Sequence, residues 1–311
     1  MWKRSLSRVL GLVLLAAVAG LWLTRPQHIE ISAVPEREPD LANGERMFWA
    51  GGCASCHAAK EAKGDDKLVL QGGLELKSPF GLFRVPNIST SNARGIGGWS
   101  TADFITAMVK GTSPDGRHYY PAFPYASYQR MRYEDLIDLK AFLDTLPASD
   151  NEVAEHDLLF PYSIRPGVGV WKLLYLDGKR FTENPNWDGK TNKGAYLATG
   201  PGHCAECHTP RDIFGGLNAE RWMAGAPNPE GGKGRVPNIT PHPDGIGNWS
   251  ATDIAFLLES GFTPEYDSIG GSMASIQDNW ARLPAEYREA VAAYLKAIPP
   301  RETMKAENGG G

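Results

Sequence analysis

Cys53-Ala54-Ser55-Cys56-His57 and Cys204-Ala205-Glu206-Cys207-His208 decide the reading of this chain. They hold all four cysteines of the sequence, in one spacing, and a histidine follows each pair directly. Two thiols one helical turn apart can each form a thioether to a vinyl group of a porphyrin. The next residue is then placed to bring its imidazole to the iron. The spacing predicts two covalently bound haem c groups, attached through Cys53, Cys56, Cys204 and Cys207, with His57 and His208 as proximal iron ligands. A disulfide within each pair, or a thioredoxin-like redox motif, leaves both histidines unused, and no strand-helix-strand context surrounds either site. A single zinc site from all four cysteines would have to close over a far longer stretch than zinc ribbons use.

Outward from the motifs, the second half of the chain copies the first. Cys53 and Cys204 are 151 positions apart, as are Val85-Pro86-Asn87-Ile88 and Val236-Pro237-Asn238-Ile239. Gly95-Ile96-Gly97 and Gly245-Ile246-Gly247 are 150 apart, and Leu146-Pro147 and Ile298-Pro299 are 152 apart. Each copy opens with a short helical stretch, around Gly44 to Trp49 and Lys193 to Leu197. A Gly/Pro-rich segment then leads to Val-Pro-Asn-Ile, where proline forbids helix. Ser100 with Asp103 and Ser250 with Asp253 fit the Ser-x-x-acid start of a capped helix, and Gly111 and Gly261 fit its end. The last helix of each copy, about Tyr133 to Leu146 and Ala285 to Ile298, has apolar residues at helical spacing and stops at proline.

A chain of 311 residues is long enough for about two domains of ordinary size. We divide it into an export or anchor segment over 1–25, repeats over 40–147 and 191–300, an ordered bridge over 148–190, and a disordered tail over 301–311. The aromatics of the bridge, among them Phe160, Tyr162, Trp171 and Tyr175, argue against a flexible linker. The net charge of −4 shows no basic footprint, so no nucleic-acid partner is expected.

Lys3, Arg4 and Arg8 precede an apolar run from Val9 to Leu23. Positive charge ahead of such a run places the rest of the chain outside the cytoplasm. The expectation is a protein on the periplasmic face of a bacterial inner membrane, held there by an uncleaved N-terminal anchor. Cleavage near Ala17-Val18-Ala19-Gly20, giving a soluble periplasmic protein, is the alternative.

A thioether sulfur is the expected distal ligand, because it raises the potential of a haem whose other ligand is histidine. Met273, in what reads as a loop ahead of the last helix, is assigned to the second haem. In the first repeat the matching position holds Phe123, which cannot bind iron. Met131 is assigned there instead, although it aligns with Leu283 and so also suits a hydrophobic contact at a helix start. His118, Met108 and an open iron are the other choices. His28, His156, His203 and His242 have no repeat-matched role and read as surface residues.

The order of helix, Cys-x-x-Cys-His, loop, helix and terminal helix resembles class I cytochrome c domains. The expected fold class is therefore mainly α, two tandem class I cytochrome c domains, each a few helices wrapped around one covalently bound haem with long irregular loops. Over about residues 40 to 300 the chain resembles the c-type cytochrome subunits of membrane-bound bacterial alcohol, aldehyde and gluconate dehydrogenases. Phe48-Trp49-Ala50-Gly51-Gly52, Val85 to Ile88, Gly95 to Trp99, Gly111 to His118 and Pro121 to Tyr125 carry that resemblance. Those subunits have three haems and a methionine in the Pro-Ala-x-Pro-Tyr loop; this chain has two motifs and Phe123. The resemblance implies an electron-transfer subunit, not itself an enzyme, passing electrons from a dehydrogenase partner to a membrane quinone or a terminal oxidase. Dihaem peroxidases, which need one open iron with acid-base groups beside it, are the rival class.

Overall fold

The computed structural model describes residues 2–228 and 234–303, with the side chains at 2–7, 9, 13, 16 and 17 outside that description. Most of the tail assigned to 301–311 therefore lies outside the described residues. The chain is mainly helical. Helix α1, Trp2–Leu23, runs through the small-residue stretch without a break. Its described apolar side chains, from Leu10 to Leu23, lie exposed. Among the residues so described no helix is long and apolar enough to cross a membrane, and α1 is only partly among them.

The first half of the rest begins at α2, Leu41–Ala50, where the Asp40 side chain accepts from the Asn43 backbone N–H at 3.1 Å and caps the helix. Helix α3 is the motif itself, Cys53–His57. Strands β1, Glu75–Ser78, and β2, Gly81–Arg84, form an antiparallel hairpin. Helix α4, Thr101–Lys110, starts at a full Ser100/Asp103 capping box and stops at Gly111, in the left-handed region at φ 56°. Helix α5 is one turn, Tyr125–Tyr128, and α6 spans Tyr133–Leu143. The hairpin was not evident from the sequence, which suggested only an irregular segment. Its signal is local: Pro79 in the Ser78-Pro79-Phe80-Gly81 corner, with apolar alternation over Leu74 to Lys77 ahead of it.

Between the halves, β3, Asp157–Leu158, adds antiparallel to β2, and α7 spans Gly167–Tyr175. This stretch bonds to both sides. Lys172 Nζ donates to the Lys110 and Gly111 carbonyls at 2.7 and 2.6 Å, and the Phe181 N–H donates to the Arg130 carbonyl at 3.1 Å. Toward the second half, Trp171 Nε1 donates to the Phe214 carbonyl at 3.0 Å, and the Tyr175 hydroxyl donates to Asp212 at 2.7 Å.

The second half repeats the order. Helix α8, Gly189–Thr199, precedes the motif helix α9, Ala205–His208. Strands β4, Ala226–Pro227, and β5, Arg235–Val236, pair antiparallel. Helix α10, Ala251–Ser260, has the equivalent capping box at Ser250 and Asp253 and ends at left-handed Gly261. Helices α11, Ser272–Trp280, and α12, Ala285–Ala297, complete it. Met273 thus sits in the first turn of a helix, where the sequence suggested a loop. Proline placement contributes: Pro121 and Pro124 hold off the start of α5 until Tyr125, whereas no proline occurs between Pro264 and Pro284.

In each half the opening helix crosses the closing one, α2 on α6 and α8 on α12. A Cβ on Gly44 would lie 2.1 Å from the Asp138 carbonyl oxygen, and one on Gly194 would lie 1.8 Å from that of Ala290. Only glycine allows backbones to pass so closely, and the two glycines are equivalent in the repeat. Above these crossings the buried apolar residues of both halves merge into one continuous cluster, from Phe48, Ile105 and Leu136 through Met131 to Leu197, Val291 and Leu295. A small separate cluster of Phe83, Tyr120 and Val168 lies under the β1-β2-β3 sheet and α7.

Candidate functional site

Each motif forms a single helical turn entered through a sharp backbone reversal. Gly52 takes φ 62° between α2 and α3, and His203 takes φ 36° ahead of α9. Among the described residues no disulfide joins the cysteines. His57 Nδ1 lies 2.8 Å from the Pro86 carbonyl oxygen, and His208 Nδ1 lies 2.8 Å from that of Pro237. A carbonyl oxygen only accepts, so Nδ1 carries the proton in both rings. That fixes the tautomer in which Nε2 presents a lone pair, the arrangement a metal-ligating histidine requires. Burial pushes His57 down to about 4 and lowers His208 as well, so both imidazoles are neutral near pH 7. Burial, with the second thiol of each pair adding to it, pushes the Cys53 and Cys204 thiols up to about 12.

The prolines that receive these bonds are themselves held. Asn87 Nδ2 donates to the Ser149 and Asn151 carbonyls at 2.7 and 3.0 Å, while its Oδ1 accepts from the Ser89 N–H at 2.9 Å. Asn238 Nδ2 donates to the Arg301 carbonyl at 2.7 Å, and its Oδ1 accepts from the Thr240 N–H at 2.8 Å. Each asparagine ties the Val-Pro-Asn-Ile corner to the chain beyond the terminal helix. In the sequence this tetrapeptide marks the repeat register and a stop to helix, and carries part of the family resemblance, but shows no orienting role. Its recurrence at the offset of the motifs was the signal that could have revealed this orienting role.

The remaining assigned residues divide. Met273 is half-buried against the shared core, on a helix that packs on α3 and α2 of the other half as well as on α10. Met131 is 1% exposed and lines a small cavity with Met47, Met108, Tyr128, Leu139 and Cys53. Leu283, its repeat partner, is buried in the same core. Phe123 packs edge-on to Tyr119 and Tyr125 and tilted against Tyr128, half-buried in the position that Met273 takes in the other half. His118 Nε2 donates to the Thr24 carbonyl at 2.8 Å, and its Nδ1 is buried without a partner.

Two histidines read as surface residues have definite contacts. His156 Nδ1 accepts from the Arg84 N–H at 3.1 Å, and the ring lies between Phe83 and Tyr120. His203 Nε2 donates to the Gly51 carbonyl at 3.3 Å and meets the Tyr128 ring edge-on. Neither could be placed from the repeat, because their partners lie far away in sequence.

Two further buried polar atoms lack a protein partner, the Tyr125 hydroxyl on α5 and Asn279 Oδ1 on α11. Unmet polar atoms of this kind beside the motif helices are what a bound group with its own polar substituents would satisfy. Paired thiols on one turn, a neutral imidazole with a defined free Nε2, and a buried apolar surround fit a covalently attached haem at each motif.

The family described as cytochrome c matches residues 41–147. A dihaem cytochrome c-type protein of Cereibacter sphaeroides is 51% identical over 300 residues, covering 96% of this chain and 100% of the relative. The fructose dehydrogenase cytochrome subunit of Gluconobacter japonicus is 34% identical, covering 92% of this chain and 57% of its own. The cytochrome c subunit of alcohol dehydrogenase (quinone) from Gluconacetobacter polyoxogenes is also 34% identical, at 87% and 58%. This chain thus spans the whole of the first relative and less than two thirds of the two dehydrogenase subunits.

Proposed function

Because this chain belongs to the cytochrome c family, we propose that it is a dihaem electron carrier in which each half forms one haem domain. Electrons pass from a partner dehydrogenase through the chain toward a membrane quinone or a terminal oxidase. The observation that carries this reading is the paired geometry of His57 with Pro86 and His208 with Pro237, the same bond at the same length at both motifs. A haem, once attached, supplies a one-electron couple. Everything else is the work of side chains. Cys53 and Cys56, with Cys204 and Cys207, fix each ring covalently. The two histidines present Nε2 without needing to lose a proton, and the apolar core excludes water from the iron.

On the distal side, Met273 is the ligand we assign to the second haem and Met131 to the first. The first assignment is supported by the cavity wall that Met131 shares with Cys53. It competes with the packing role that Leu283 has in the other half. A membrane tether through α1 is supported by its exposed leucines and by Arg25 stacked 4.5 Å over Trp22 at its end. Positive charge at the N-terminal end of that helix, from Lys3, Arg4 and Arg8, favours the periplasmic side.

The test is a membrane reconstitution. Native membranes lacking this chain are given a substrate of its dehydrogenase, with and without the purified protein. The expected result is substrate-dependent reduction of both haems and restored oxygen uptake. Turnover of hydrogen peroxide at the expense of the reduced haems, with a high-spin ferric signal from one haem, would instead move the protein to the peroxidase class.

A further inference from the structure

The two halves do not merely sit side by side; each motif helix is engaged by the distal helix of the opposite half. In the motif Cys-x-x-Cys-His the third position is Ser55 in one copy and Glu206 in the other. Ser55 Oγ donates to the Ser275 carbonyl at 3.2 Å, and it accepts from Ser275 Oγ and from Asn279 Nδ2, both at 2.8 Å. Ser275 and Asn279 belong to α11, the helix that carries Met273. Beside this cluster, Ile276 comes so near Gly52 that a Cβ there would lie 3.2 Å from its Cδ1. Lys67 Nζ meets Asp278 at 3.3 Å. In the reverse direction the Ser127 hydroxyl on α5 donates to Glu206 at 2.7 Å.

The start of α11 is reached through Gly270 and Gly271, around which no atom lies within 4 Å of a Cβ position. Gln277 Nε2, bonded to the Glu259 carbonyl at 2.6 Å, ties it to α10 one turn further along. Asn279 is fully buried, so removing the oxygen that its Nδ2 meets leaves a desolvated donor that the helix must shift to satisfy.

We propose that Ser55, although it lies in the first haem's attachment motif, is a positioning residue for the distal ligand of the second haem. It acts through Ser275 and Asn279 on the helix that presents Met273. The environment of one haem is therefore set in part by the attachment helix of the other, and by linkage the influence runs both ways. The inference rests on the assignment of Met273 as the second haem's distal ligand.

The experiment uses the full, haem-loaded chain and four variants beside it: Ser55→Ala, Ser55→Thr, Ser275→Ala and Met273→Leu. The readouts are the far-red methionine-to-iron band and a redox titration resolved into its two components. Met273→Leu is expected to abolish the band component of the second haem and so identify it. Ser55→Ala and Ser275→Ala, with both haems retained by mass, are expected to shift that same component. They should also change the oxidised-to-reduced ratio of the second haem at its wild-type midpoint by about twofold to tenfold, the range that the net worth of a single hydrogen bond corresponds to. Ser55→Thr, which keeps the hydroxyl, should restore the wild-type ratio. A band untouched by Met273→Leu would overturn the ligand assignment. A band removed by Met273→Leu, but a second haem unmoved by both serine variants or moved in the first haem alone, would overturn the positioning role while leaving that assignment intact.

Discussion

Replacing Gly194 by alanine should weaken the protein out of proportion to one methyl group. On α8 the new Cβ would sit 1.8 Å from the Ala290 carbonyl oxygen on α12, and ordinary contact begins near 3.4 Å, so the helices must separate by 3.4 − 1.8 = 1.6 Å. The obstacle is backbone, which cannot rotate away as a side chain can. Overpacking by one methylene costs about 1–3 kcal/mol where neighbours yield, and this site belongs at the upper end. Alanine recovers about 1 kcal/mol of helix propensity over glycine. The net loss is therefore about 2 kcal/mol, which for a chain of this size lowers the melting temperature by roughly 3 °C. Differential scanning calorimetry on the haem-loaded protein measures it. Gly189→Ala is the control, since it lies on the same helix with no atom within 4 Å of its Cβ position, and it should be neutral or slightly stabilising. If Gly194→Ala melts with Gly189→Ala, the close crossing of α8 and α12 is not what the glycine is for.

Three other outcomes follow from individual side chains. Asp138, with its side chain 3% exposed, accepts from Arg37 Nη1, the Asp40 N–H and Asn43 Nδ2 at 2.8, 2.8 and 2.9 Å; Asp138→Ala removes all three bonds, leaves Arg37 and Asn43 with only their second acceptors, Glu134 and Asp135, and should cost about 3 kcal/mol in urea unfolding. Met131→Leu should remove a methionine-to-iron band from the first haem, and an unchanged spectrum would return that position to the packing role of Leu283. Burial, with the Lys110 ammonium nearby, pushes Lys172 down to about 7. The unfolded chain then holds that proton more tightly between about pH 7 and pH 10, so this group's contribution to stability rises with pH across the window. The melting temperature of the wild type should gain on that of Lys172→Met from pH 7 to pH 10, and parallel curves would contradict it.

How much of this was legible depends on the range over which each signal acts. The capping boxes at Ser100 and Ser250, the glycine stops at Gly111 and Gly261 and the motif turns are set by neighbours within four residues, and they stand where the repeat placed them. The proline-free stretch after Pro264 leaves room for α11, which starts only past Gly270 and Gly271. What the repeat could not show is which half a segment leans on. The bonds from Ser55 to Ser275 and from Ser127 to Glu206 join residues 220 and 79 positions apart, and an internal repeat suggests two self-contained copies rather than crossed ones. His203 reads as a surface residue for the same reason, since its partner Gly51 belongs to the other copy.

The central claim is that each Cys-x-x-Cys-His turn carries one covalent haem. The direct measurement is the intact mass of the exported protein, with its haem-to-chain ratio from the alkaline pyridine spectrum. The wild type should carry two haems that survive denaturation. A double variant with Cys204→Ser and Cys207→Ser should carry one, and so should a double variant with Cys53→Ser and Cys56→Ser. A wild-type ratio of one, or a ratio unchanged by either double variant, would contradict the account.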